Sequence, residues 1–362
     1  MNADRRLSNL RRKLADDSIP AIIVTAIPNI RYLTGFENVF DDGANVACLV
    51  TEEVARVYTD FRYKEAAIEA AQGTPWTVHV PVESLYIELC DELGNEGLEA
   101  VTVESSVPYG RFRFISERFG GQVEIVGQLI EGLRQVKEAA EVERIAQAAV
   151  LGDRAFAHML TRIAVGAREC DIALELEVYL RSHGSEGVAF APIVASGLNS
   201  SRPHASITDR AIEPGDFVTL DFGARVLGYC SDMTRTVVVG QASDRQREVY
   251  EAVAAAQQEG LAAARGGVRG ADIDAAARAV LESRGLAEHF GHGLGHGVGL
   301  EVHELPSVAP RGRESVLSGS VITIEPGVYI PGFGGVRIED LVVIEDGGCR
   351  LLSGAPRELL EI

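Results

Sequence analysis

Two textures of apolar and polar positions follow one another along this chain. Near the start, Leu7, Leu10 and Leu14 recur at helical spacing and predict a short amphipathic helix with one leucine face. Apolar and β-branched runs at 21–25 (AIIVT), 45–51 (NVACLVT), 54–60 (VARVYTD), 98–104 (LEAVTVE) and 123–129 (VEIVGQL) predict strands, and EAAIEAAQ at 65–72 predicts a helix. This mixture predicts a compact α/β domain over residues 1–132. A helical pattern then runs from about Lys137 to Ile163 and continues through Arg168–Ser182. Beyond it, β-runs at 217–224, 232–239, 321–325 and 336–344 enclose two Ala-rich helical stretches at 244–265 and 271–284. Strands enclosing helices in that order predict an α+β layer structure over 133–362 rather than a parallel βαβ array.

Composition narrows the partners. The 362 residues exceed one typical domain, in keeping with a split near 130–137. Lys and Arg number 34 against 53 Asp and Glu, so the net charge of −19 disfavours nucleic acid or an anionic membrane, which need a basic surface. The five cysteines are far apart and form no CxxC pair, which argues against a disulfide framework or zinc ribbon and for a reducing compartment. The opening MNADRRLSNLRRKL has no apolar signal core, and runs such as 188–195 are too short to span a bilayer. A soluble, cytoplasmic protein is expected.

The chemistry concentrates in the second half. In PGDFVTLDFGARVLGYCSDMTRTVVV (214–239), Val226–Gly228 form a loop between two β-runs, and a hairpin centred there places Asp221 opposite Asp232. Two carboxylates on one apolar face repel, and a shared proton, a basic partner or a cation must offset that cost. A solvated hairpin with two unrelated acids is the plain alternative. SGSVITIEPGVYIPGFGGVRIEDLVVI (318–344) weakens it by repeating the layout, with Gly332–Gly335 as the turn and Glu325 opposite Glu339. The two hairpins together offer four converging carboxylates, an oxygen-rich cluster suited to divalent metal.

Between them lies FGHGLGHGVGLEVHE (290–304), with glycine at every second place from Gly291 to Gly299. His292 and His296 have the i, i+4 spacing of a helical zinc motif, yet five glycines would penalise that helix by roughly 4–5 kcal/mol. As extended backbone the two histidines share a face, and the glycines let another chain segment or a ligand come close. His204 sits in a Ser/Asn/Pro loop (SGLNSSRPHAS, 196–206), where alone it reads as a loop histidine.

Asp221, Asp232, His296, Glu325 and Glu339 occur in the order and approximate spacing of the metal ligands of the pita-bread metallopeptidases. HGLGHGVGLEVHE (292–304) resembles the proline-peptidase signature over its length, and EPGVY (325–329) and VRIED (336–340) resemble the flanks of the two glutamate ligands. NIRYLTGF (29–36) and TDFRY (59–63) are similar to the companion domain of the proline peptidases. The resemblance implies an α+β C-terminal pita-bread domain of the creatinase/aminopeptidase type behind a smaller N-terminal α/β domain. It implies two divalent metal ions, with Asp221 on one, Asp232 and Glu339 shared, and His296 with Glu325 on the other. Hard donors of this set favour Mn²⁺, with Co²⁺ or Zn²⁺ as alternatives. Glu325 would carry the proton, His204 and His303 would steady the transition state, and His292 and Arg337 would adjoin the substrate.

The implied activity is hydrolysis of the Xaa-Pro bond at the N-terminus of short proline-containing peptides, by an Xaa-Pro aminopeptidase or an Xaa-Pro dipeptidase in a homodimer. A metal-free amidinohydrolase-type enzyme and a non-catalytic binding protein are the competing readings on the same scaffold. Both tend to lack metal ligands, whereas all five positions are filled here.

Overall fold

The leucine stripe at the N-terminus becomes helix α1 (Ala3–Asp16), which buries Leu7, Leu10 and Leu14 and is capped by the Asn2 side chain accepting from Arg5 N. In the computed structural model, which describes residues 2–362, the chain divides between Arg134 and Gln135 into two units. The first continues with β1 (Ala21–Val24), α2 (Ile27–Thr34), β2 (Val46–Thr51), β3 (Ala55–Thr59), α3 (Lys64–Ala71), β4 (Thr77–His79), α4 (Leu85–Asn95), β5 (Ala100–Glu104), α5 (Tyr109–Phe119), β6 (Gln122–Val126) and α6 (Leu129–Arg134). Its six strands form one mixed sheet in the order β4-β3-β2-β1-β5-β6.

Ile23, Leu49, Leu89, Val101 and Ile115 meet in the core of this unit. The strand expected over 123–129 ends at Val126, because Gln128, at φ +55°, turns the chain into α6. Helices α2, α4, α5 and α6 lie outside the elements the sequence pattern predicts. The signal for α4 was present: Leu85, Leu89 and Leu93 stand one turn apart and are all buried.

The second unit holds α7 (Ala139–Met159), α8 (Glu169–Ser182), β7 (Ile193–Ser196), β8 (Phe217–Phe222), β9 (Arg225–Val226), β10 (Tyr229–Cys230), β11 (Met233–Val238), α9 (Asp244–Ala263) and α10 (Gly270–Ser283). Then come β12 (Gly295–Gly297), β13 (Glu304–Val308), β14 (Val321–Ile324), β15 (Gly327–Ile330), β16 (Gly334–Arg337), β17 (Asp340–Glu345) and β18 (Gly348–Leu351). The helical run expected from 137 through 182 is two helices. The chain leaves α7 at Leu160 and turns at Gly166, where φ is +88° and the backbone N–H leaves the helical pattern to bond Ile212 O.

The internal repeat extends beyond the hairpins. Helices α7 and α8 pack on the sheet β11-β8-β7 through Leu151, Phe156, Leu176, Leu220 and Phe222. Helices α9 and α10 pack on the sheet β13-β12-β14-β17-β18 through Val253, Ile273, Leu281, Ile322 and Val342. Each half is a helix pair covering an antiparallel sheet, and each buries an apolar helix face that neither pair could hide alone.

The register of the first hairpin differs from expectation. Asp221 pairs with Thr234, not with Asp232. The turn is the two-residue Leu227–Gly228, both with positive φ, which centres the hairpin one residue later than the sequence suggested. Asp232 therefore lies two residues ahead of the partner of Asp221, just before β11, on the same face but diagonal to it.

In the second hairpin the pairs Ile324↔Asp340 and Gly327↔Arg337 carry one register, and Glu325 stands opposite Glu339. Gly334 and Gly335 belong to β16 rather than to the turn, which is 331–333. The run 321–325 stops as a strand at Ile324, before Glu325–Pro326, and the run 336–344 is interrupted at Ile338–Glu339, where the chain passes between the five-stranded sheet and the β15–β16 pair. Pro326 has no N–H to donate, so the ladder cannot continue through it.

Candidate metal centre

The breaks in the strands place the acids. Glu325 sits between β14 and β15, Glu339 between β16 and β17, and Asp232 just before β11. Freed from regular pairing, the backbone N–H of Glu339 bonds Thr234 O and that of Glu325 bonds Leu294 O. These bonds draw both hairpins and the glycine-rich segment together. The glycines are needed for close approach: a Cβ on Gly295 would lie 2.0 Å from Thr323 O, and one on Gly297 would lie 2.1 Å from Leu305 O. Backbone can therefore run flush against β13 and β14 while His296 points inward from β12.

One ligand atom each of Asp232, His296 and Glu339 lies within 4.8 Å of the others. His296 Nε2 is 3.6 Å from Asp232 Oδ2 and 3.4 Å from Glu325 Oε1. Asp221 is turned toward Arg337, whose Nη2 donates to its Oδ2 at 2.5 Å. All five predicted positions line one cavity of about 620 Å³, together with His204, His292, His303 and Arg337. That size suits a small ligand. The rings of His296 and His303 are 4.3 Å apart.

The electrostatics call for positive charge. Burial, then repulsion by Glu339, pushes the Asp232 carboxyl well above its usual range, and the same two causes act on Glu325. Burial and the Asp221 charge raise Glu339 to about 8. Burial lowers His296 to about 4, so its imidazole is neutral at pH 7. Its Nδ1 lies 3.1 Å from Gly297 O and, by that bond, carries the proton. The lone pair of Nε2 then faces two carboxylates, and Asp232 Oδ1 is buried without a hydrogen-bond partner. Acceptors facing acceptors in a buried pocket fit a bound divalent cation.

Residues that sequence reasoning missed complete the frame. Thr234 Oγ1 donates to Glu339 Oε2 at 2.7 Å and accepts from Arg337 Nε at 3.0 Å. Tyr329 OH accepts from Arg337 Nη1 at 2.7 Å and bonds His292 Nε2 at 2.9 Å. Thr234 stands two places after Asp232 on the same strand face, the one pattern that could have revealed it. Phe190, Pro192, Ile193, Ile207 and Val302 give the cavity an apolar wall.

Residues 143–346, more than half of the chain, match metallopeptidase family M24. The chain belongs to this family. Residues 6–136 match the creatinase/prolidase N-terminal domain. This M24 chain is 36% identical to the Xaa-Pro dipeptidase of Pyrococcus horikoshii, over 95% of each chain. Among solved structures it resembles an Xaa-Pro dipeptidase from Bacillus anthracis with a TM-score of 0.94 at 36% identity, over the whole of both chains. It resembles an X-Pro aminopeptidase from Thermotoga maritima with a TM-score of 0.87 at 35% identity, over 97% of this chain and 100% of that one. The fold is therefore the pita-bread domain with its companion, and the protein is a metallopeptidase that uses divalent metal.

Proposed function

We propose that this M24 peptidase is an Xaa-Pro dipeptidase whose site holds two divalent ions, Mn²⁺ by preference. The observation that carries the reading is the cluster of Asp232, neutral His296 and Glu339 at the floor of a cavity with an apolar wall. Asp232 and Glu339 would be shared between the ions, Asp221 would serve one position, and His296 with Glu325 the other. Bound there, the ions would supply Lewis acidity and bring the pKa of a water down toward about 7.

The chain's own groups do the rest. The apolar wall seats the proline ring, and an Xaa-Pro bond, being a tertiary amide, has no N–H that would need an acceptor there. The exposed imidazoles of His204 and His303 line the cavity and can donate to the carbonyl oxygen as it gains charge. Glu325 takes the proton from the attacking water on Oε and returns it to the departing imino nitrogen. His292 has Nδ1 on Gly293 O at 2.8 Å and Nε2 on Tyr329 OH, so it is a fixed wall rather than an acid or base.

The names of the Pyrococcus and Bacillus relatives favour the dipeptidase over the aminopeptidase. A panel of Xaa-Pro and Xaa-Pro-Xaa peptides, assayed after chelation and again with added MnCl₂, tests the proposal. Cleavage of the dipeptides alone, lost in chelator and restored by Mn²⁺, is the expected result. Equal cleavage of tripeptides would make it an aminopeptidase, and turnover in chelator would refute the metal centre.

A further inference from the structure

The loop that carries His204 into the cavity is tied at both ends to one buried carboxylate. Glu169, at the first turn of α8, has no solvent exposure. Its Oε1 accepts from Ser196 N at 2.6 Å and Ser196 Oγ at 2.8 Å. Its Oε2 accepts from Asn199 Nδ2 at 3.0 Å, Thr208 N at 3.0 Å and Thr208 Oγ1 at 2.6 Å. Ser196 ends β7, and Thr208 follows the loop, so a single side chain closes the segment between them.

Two further contacts work with it. Asn199 Nδ2 also donates to Ser206 O at 3.1 Å, which braces the inside of the loop. Arg210 Nη1 donates to Ser196 Oγ at 2.7 Å, so the hydroxyl that reaches Glu169 is itself held by a cation. On the opposite side the loop meets the second hairpin: Gly335 N donates to Ser200 Oγ at 2.9 Å, and Arg337 Nη1 donates to Pro203 O at 3.3 Å. His204, next to Pro203, has an exposed side chain and no hydrogen bond within the loop that would fix it. Its place is set by the loop's backbone, and the backbone is set by Glu169 and the hairpin.

We infer that Glu169 is a positioning residue for the hydrolysis, holding His204 where its imidazole meets the substrate carbonyl. A carboxylate suits the task because it accepts on both oxygens. An amide in its place turns an NH₂ toward N–H or O–H donors on one side, so Glu169→Gln releases one end of the loop whichever way it sits. The inference rests on the role proposed for His204, and its test separates the two.

The first measurement is kcat and KM on an Xaa-Pro dipeptide for wild type, Glu169→Gln, His204→Ala and the double variant, with metal content per chain. Glu169→Gln should lower kcat by about a hundredfold, the cost of a misplaced group, with KM and bound metal close to wild type. On a His204→Ala background the same change should cost little more, because the group it positions is gone. Multiplying losses in the double variant, or loss of bound metal in Glu169→Gln, would overturn the inference.

The second measurement does not depend on turnover. In histidine side-chain NMR spectra, the His204 signal, identified by its loss in His204→Ala, should move or broaden in Glu169→Gln while those of His158 and His183 stay in place. An unmoved His204 signal would overturn the inference. Failure of the wild type to cleave any proline peptide would refute the peptidase specificity, and the NMR result would still decide the role of Glu169.

Discussion

Arg337 reaches Asp221 at 2.5 Å while 4% exposed, and the same guanidinium bonds Thr234, Tyr329 and the Pro203 carbonyl. One cation thus orders three walls of the cavity: β8, β11 and the loop before His204. Its charge also opposes the upward drift of Asp232, Glu325 and Glu339.

Removing that cation takes the counter-charge from Asp221, a partly buried carboxylate, and from the buried acids beside it. Arg337→Met should destabilise the metal-free protein by about 3–5 kcal/mol, read from urea denaturation. Arg337→Lys keeps the charge but not the fork of bonds, and should fall between the two. Equal stability of all three forms would show that Asp221 is compensated elsewhere.

The metal-free protein should lose stability as the pH rises. Glu339 ionises at about 8 in the folded chain against a reference of 4.5. A carboxyl raised by folding contributes stability that is fully present below its unfolded pKa and is lost as the pH passes through the folded one. Asp232 and Glu325 are shifted in the same direction and add to the trend. The melting temperature should fall between about pH 7 and pH 9, above the range in which the lowered His292 and His296 oppose the trend, and added Mn²⁺ should flatten the fall because it replaces the protons. Calorimetry at pH 7 in two buffers of different ionisation heat should show protons released on metal binding. A flat melting profile without metal would contradict the argument.

The glycine ladder makes a positional prediction. Gly295→Ala and Gly297→Ala each push a Cβ into backbone, at 2.0 Å from Thr323 O and 2.1 Å from Leu305 O. Each should cost about 1–3 kcal/mol or more in thermal unfolding and displace His296. Gly291→Ala in the same motif meets nothing within 4 Å and should stay within about 0.5 kcal/mol of wild type.

Lys137 and Glu304 form a buried pair at 3.1 Å, with side chains 1% and 5% exposed. Glu304 also accepts from Glu301 N at 3.0 Å, so the pair braces the loop that carries His303. Lys137→Met should cost about 3–5 kcal/mol by chemical denaturation, since it removes the cation of a buried ion pair. Lys137→Met/Glu304→Gln should recover part of it, and no recovery would mean that the loss comes from packing.

Local order determined the chemistry. Acids at strand ends, alternating glycines around His292 and His296, and two hairpins of matching layout were legible because a strand's period of two and a glycine's lack of Cβ are local facts. So was the register that sets Glu325 against Glu339. Tertiary structure decided what depends on long-range contact. The turn at Leu227–Gly228 set the Asp221 register, because two positive φ values are needed there and a Leu gives no sign of supplying one. The breaks at Glu325 and Glu339 arise where two sheets meet, which no run of apolar residues reveals. Thr234, Tyr329 and Glu169 joined the site because partners far along the chain reach them, at separations over which sequence pattern carries no signal.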